Sequence, residues 1–75
     1  MSKTPRGVKP ADVLRALKKE GFGVDRQTGS HARLKHPDGR ATSIALHHKP
    51  MFHGTLRKIL KEVDISVEKF QKLLK

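Results

Sequence analysis

The spacing of apolar residues changes period twice along this chain, and that double switch limits the folds open to it. Val13, Leu14 and Leu17 recur at helical spacing, with Lys18, Lys19 and Glu20 outside the stripe. Pro10 suits a first helical turn, where its missing N–H has no intrahelical partner, and Gly21 suits the residue just past the last turn. The spacing therefore predicts a helix over Pro10–Glu20. From Phe22 to His47 the period falls to two. Phe22 and Val24, then Ala32 and Leu34, then Ile44 and Leu46 alternate with polar residues, and Gly29-Ser30 and Pro37-Asp38-Gly39 separate the runs. Three short antiparallel strands are expected. His48–His53 has no period and reads as a loop. Helical spacing returns in Leu56, Ile59, Leu60 and Val63, with Thr55 as the expected cap, and again in Val67, Phe70, Leu73 and Leu74, capped by Ser66. The predicted class is α+β, a three-stranded antiparallel sheet with helices packed on one face, in the order α-β-β-β-α-α.

Turn chemistry fixes the expected register. A two-residue Asp38-Gly39 loop would set Arg33 opposite Ile44 and mix the two faces. A three-residue Pro37-Asp38-Gly39 loop with Gly39 left-handed sets Ala32 opposite Ile44, Leu34 opposite Thr42, Arg33 opposite Ser43 and His31 opposite Ala45, which keeps one face apolar. On the other side of the middle strand the same reasoning pairs Val24 with Leu34 and Asp25 with Arg33, the second as an ion pair. The face away from the helices then carries Asp25, Gln27, His31, Arg33, Lys35, Ser43 and His47.

Seventy-five residues allow one small domain, expected over residues 10–75 behind a basic, flexible arm at 1–9. A core of this size leaves no room for a large cofactor cleft, so a ligand site belongs on the surface. Lys and Arg number 17 against 7 Asp and Glu, a formal charge of +10, which suits a polyanionic partner. The absence of Cys excludes disulfide scaffolds, Cys-based zinc modules and thiol catalysis. No run is long or apolar enough for a membrane span or a signal peptide, so the chain reads as soluble and cytoplasmic, with no membrane partner. Without Trp or Tyr, and with only Phe22, Phe52 and Phe70, a multi-ring platform for stacking bases is excluded. Phosphate contacts and hydrogen bonds are expected to dominate any RNA binding.

All five histidines, His31, His36, His47, His48 and His53, lie between positions 31 and 53. From Arg26 to Lys61 there are eight Lys or Arg and a single acid, Asp38. Each such residue alone is most simply a solvated charge; gathered on one sheet face, they make a place for a phosphodiester. His31 stands out, since it opens the middle strand after a tight turn and points away from the core. An imidazole, with an ordinary pKa of ~6.5, can take or give a proton near neutrality. Other constellations are weaker. His47, His48 and His53 have no carboxylate or Cys nearby to complete a metal site. Ser30 and Ser43 lack the acid–His arrangement of a hydrolase triad. Gly21-x-Gly23 is a helix stop rather than a phosphate loop.

Several elements then follow one family pattern in order: Val13-Leu14 to Gly21-Phe22, Arg26-Gln27-Thr28-Gly29-Ser30-His31, His36-Pro37-Asp38-Gly39-Arg40, Ile44 to His47, and Gly54-Thr55-Leu56-Arg57-Lys58-Ile59-Leu60. From about Val8 onward the chain closely resembles the HicA mRNA interferase toxins, the YcfA-like family. The resemblance implies a fold similar to double-stranded RNA-binding domains, His31 as the catalytic residue of an RNA-cleaving toxin, and an acidic HicB-type antitoxin that covers the active face. The loop Lys49-Pro50-Met51-Phe52-His53 is more apolar than the Gly- and Lys-rich loop common in that family. The resulting expectation is an endoribonuclease, the toxin of a type II toxin–antitoxin system. It would cleave single-stranded mRNA by His-dependent transesterification, with no metal and no small-molecule cofactor. His31 would be catalytic, Arg26, Ser30, Arg33, Lys35 and Lys49 would contact RNA, and Lys35 or His47 would supply a second acid or base. The rivals are a non-catalytic basic RNA-binding module and a basic adaptor for an acidic protein.

Overall fold

A computed structural model describes residues 4–75 of the chain. Its elements are α1 (Pro10–Glu20), β1 (Gly23–Thr28), β2 (His31–Lys35), β3 (Ala41–Ala45), α2 (His53–Glu62) and α3 (Val67–Leu73). The predicted α+β class and element order hold, and α1 has the bounds read from the sequence. The strands form one antiparallel sheet in the order β1-β2-β3, so β2 is flanked on both sides. Of the arm expected at 1–9, Met1, Ser2 and Lys3 lie outside the described residues. At its far end Val8 is buried in the core, and its carbonyl accepts a 2.6 Å hydrogen bond from the Met51 N–H.

Local chemistry accounts for the ends of α1. Pro10 opens it, and the Asp12 carboxylate accepts from the Lys9 N–H at 3.3 Å while pairing with Arg15 at 2.8 Å. At the other end the Gly21 N–H reaches Lys18 O and the Phe22 N–H reaches Leu17 O, both at 3.0 Å, so two carbonyls of the last turn are satisfied. Gly21 adopts φ 113°, and a Cβ there would meet His36 Nε2 at 2.8 Å. Glycine is required twice over, for backbone sign and for space. The reversal delivers Phe22 into the core.

The β2–β3 register is the expected one: His31 faces Ala45, Ala32 Ile44, Arg33 Ser43 and Leu34 Thr42. His36 N–H donates to Arg40 O at 2.9 Å and closes a three-residue loop in which Gly39 has φ 100°. The β1–β2 register is half as expected. Val24 does face Leu34, but Asp25 does not face Arg33: the ladder slips between Val24 and Arg26, and Arg26 faces Arg33. The cause is a conflict of count. The two-residue Gly29-Ser30 turn sets Thr28 against His31, and counting back would put Val24 opposite Lys35, on the wrong face. One extra residue, Asp25, is extruded as a bulge so that both ends of β1 keep their faces. Val24, expected in the core, is 41% exposed, because it lies on an edge strand.

A second correction concerns α2. Thr55 does not cap it; the helix starts at His53, with Phe52 as its N-cap and no side-chain cap bond. The expected Ser66 cap of α3 is present, accepting from the Lys69 N–H at 3.1 Å. Leu34 and Ile44 from the sheet and Val13, Leu17, Leu56, Val63 and Phe70 from the helical side are fully buried together. Thr42 is the buried polar residue of that face, and its hydroxyl donates to Glu62 Oε1 at 2.8 Å, which removes the cost of burying it.

Candidate active site

With one sheet face spent on the core, the opposite face collects the alternate side chains of β2 and their cross-strand neighbours. Three rows cross it. In the first, His31 lies between Thr28 and Ala45. In the second, Arg33 lies between Arg26 and Ser43 and donates from Nη1 to Ser43 Oγ at 3.2 Å. In the third, Lys35 lies between Gly23 and Ala41, with its Nζ 3.5 Å from Asp25 Oδ2. The extruded Asp25 therefore finds Lys35 instead of the Arg33 expected from the sequence. Asp25, Arg26, Arg33 and Lys35 line an open hollow of about 360 Å3.

The register set by the Gly29-Ser30 turn has an electrostatic result. It places Arg26 directly opposite Arg33, an arrangement that opposes sheet pairing. Three cations share one carboxylate there, so the hollow is left with a surplus of positive charge that an anion would neutralise.

His31 is exposed at the end of this face, and neither ring nitrogen has a hydrogen-bond partner among the described residues. Both nitrogens are thus open to a ligand. Ser30 is exposed in the adjoining turn, its carbonyl accepting from the Leu46 N–H. His47 and Lys49 are exposed beyond β3 and line a separate groove with Ser43, Ala45 and the start of α2. Of the residues expected to contact RNA, then, Arg26, Arg33 and Lys35 are brought together, Ser30 and His31 adjoin them, and Lys49 stands apart. His53 lies on the Phe52 ring at 4.6 Å between centroids. Among the described residues, no three His, Cys, Asp or Glu side chains gather as a metal site would need.

His36, just past the end of β2, belongs to a different environment. Its Nε2 lies 3.2 Å from Glu20 O, its Nδ1 lies 3.1 Å from the Asp38 N–H and 3.0 Å from Asp38 Oδ1, and its ring stands edge-on to Phe22 at 5.0 Å. Around it is a cluster of ion pairs that sequence reasoning missed. Arg40 pairs with Asp38 at 2.7 Å and Glu20 at 3.6 Å, donates to Val63 O at 2.6 Å and lies over Phe22, while Lys69 holds Glu20 at 2.7 Å. The Lys69 hydrogen bond, helped by Arg40, holds the Glu20 carboxyl below its ordinary pKa. The Arg40 backbone N–H, followed by its side chain, does the same for Asp38. The order of these pairs along the chain offers no local signal, since Glu20 and Lys69 are brought together only by helix packing. On α2, Arg57, Lys58 and Lys61 line a further hollow with Gly54, with no acidic partner among the described residues.

The site is thus an exposed His at the edge of an under-neutralised basic sheet face, on a small α+β domain. The family model described as HicA toxin of bacterial toxin-antitoxin matches residues 10–65, and the chain belongs to that family. No curated protein matches it. No helix among the described residues is long and apolar enough to cross a membrane.

Proposed function

We propose that this chain is the toxin of a type II pair and cleaves single-stranded mRNA in the cytoplasm of its host, using residues 10–75 as the cleaving domain behind the basic segment 1–9. The observation that carries this reading is the uncommitted imidazole of His31 beside the Arg26–Arg33 row, in a chain of the HicA toxin family. Residues two apart on a strand share a face and lie about 6.6 Å apart along it. A phosphodiester held by Arg33 and Arg26 therefore reaches the His31 ring. His31 takes the proton of the ribose 2′-OH, the 2′-oxygen forms a bond to phosphorus, and the bond from phosphorus to the 5′-oxygen breaks. The guanidinium groups stabilise the charge that develops on the phosphate oxygens. The products are a 2′,3′-cyclic phosphate and a 5′-OH.

The departing 5′-oxygen needs a proton. Lys35 is four residues from His31, about 13 Å along the strand, and is engaged with Asp25, so it suits a neighbouring phosphate better. His47, two residues beyond the Ala45 that faces His31, is the better second group. Ser30 and Lys49 extend the RNA contact on either side. No step is routed through a metal. The expected inhibitor is an acidic HicB-type antitoxin laid over the His31 face, with an association that slows as salt is added.

The test is an RNA carrying one 2′-deoxy substitution at a mapped cleavage position, incubated in excess EDTA. Cleavage of the unmodified RNA and none at the substituted position is expected. Cutting at the substituted position, or EDTA-abolished cutting, overturns the mechanism. RNA that is bound but never cut favours the non-catalytic RNA-binding module.

A further inference from the structure

The groove between β3 and the start of α2 has His47 and Lys49 at its rim, but its apolar floor takes no part in the chemistry proposed above. It has a volume of about 270 Å3, and Ala45, Met51, Phe52 and Ile59 contribute its apolar lining, with Ser43 and Thr55 beside them. Phe52 is 68% exposed, whereas Phe22 and Phe70 are buried in the core. An exposed ring at this position works against helix stability in two ways. Phe52 is the N-cap of α2, where a Ser, Thr, Asp or Asn would bond a free N–H of the first turn. Gly54 follows inside the helix without positive φ, so its backbone does not demand glycine, yet a Cβ there would meet a Phe52 ring carbon at 2.7 Å. The ring is therefore held where it is by a residue that weakens the helix.

We infer that this groove is a nucleobase subsite, in which the open face of Phe52 stacks on one unpaired base of the bound RNA. The inference rests on the reading of the sheet face as an RNA site. Charge and continuity select a nucleotide as the occupant. Lys49 and His47 rim the groove, and no acid lines it. Ser43 is shared between the groove and the hydrogen bond from Arg33, so the recess continues directly from the phosphate-binding row. A planar apolar wall beside cations, with two hydroxyls able to donate or accept at a base edge, matches the alternation of base and phosphate along a single strand. A platform of several rings is absent, as the composition required, but one ring suffices for one base.

The chain has no Trp or Tyr, so Phe52→Trp creates a sole, dominant emitter. The full-length variant is titrated with uncleavable 2′-O-methyl RNA, with an abasic strand of the same length, and with heparin as a polyanion without bases. Emission should be quenched by the RNA and left nearly unchanged by the other two. Phe52→Ala should weaken RNA binding about 5- to 150-fold, the range for loss of one stacked base, with heparin affinity unaltered. Gly54→Ala, which favours the helix, should weaken RNA binding in the same direction by displacing the ring. Equal quenching by abasic strand or heparin overturns the inference, as does unchanged RNA affinity in Phe52→Ala. Emission that responds only to an acidic protein also overturns it. Wild-type cleavage is followed in parallel: quenching without cleavage removes the cleavage reading and keeps the subsite, and cleavage without quenching does the reverse.

Discussion

The two ends of β2 carry a histidine each, and their fates differ. His31 enters the strand with both ring nitrogens open, on a face where cations outnumber carboxylates. His36 leaves it with both nitrogens engaged, among Glu20, Asp38, Arg40 and Lys69, where acids and bases are matched. The residue type is the same and the positions are five apart. What separates them is whether folding has already satisfied their hydrogen-bonding and charge. Groups whose partners lie within the fold hold α1, the hairpin and α3 together; groups left without partners are available to a ligand. The same contrast separates Arg40, with its carboxylates and a carbonyl, from Arg33, whose described bond is to a hydroxyl.

The contrast is sharpest in paired variants. His31→Ala should lower the cleavage rate by ~10²–10⁴, the usual contribution of a positioned acid or base, with the melting temperature unchanged. A near wild-type rate would remove His31 from the reaction, and unfolding would mean that it does not face solvent. His36→Ala should invert this result. It leaves Glu20 O and the Asp38 N–H without their partner and strips the edge contact from Phe22, so stability should fall by ~1–3 kcal/mol in urea while folded protein still cleaves. A stable His36→Ala variant that has lost activity would exchange the two roles. Arg33→Ala should weaken RNA binding and reduce the slope of log affinity against log salt by about one unit. An unaltered slope would show that Arg33 holds no phosphate.

The smallest effect belongs to the matched cluster. Because the folded state lowers the Glu20 pKa, the unfolded chain binds that proton more tightly, and the stabilisation is present above the ordinary value of 4.5 and lost as pH falls through the lowered one. Lys69 is half exposed, so its pair contributes only ~0.2–1 kcal/mol. Melting temperature should therefore drop on acidification below about pH 4.5, and part of that slope should vanish in Glu20→Gln. An identical slope in the variant would show that other carboxylates govern acid stability.

Element types were legible because local chemistry decides them. Pro10, Gly21 and Ser66 mark helix ends, and Gly39 with a three-residue loop sets the β2–β3 register. Thr55 misleads because a residue able to cap need not be the cap: the helix begins two residues earlier, at His53. The β1–β2 register was legible only in half, since two local rules, the turn at Gly29-Ser30 and the facing of Val24, disagree by one residue. Where the chain would absorb the difference depends on the whole sheet. At the site, parity along β2 placed His31, Arg33 and Lys35. The Glu20–Lys69 pair joins residues 49 positions apart, and nothing local announces it.

The slip at Asp25 makes one residue of β1 surplus to the ladder. Deleting Asp25 would join Val24 directly to Arg26 in unbroken alternation, with every remaining partner on β2 unchanged. Chain length at this point is therefore a tolerant variable: a 74-residue sibling could form the same sheet, flatter along one edge and without the carboxylate that moderates Lys35. Among relatives, a gap of one at this position would be a change in surface charge written as a change in length.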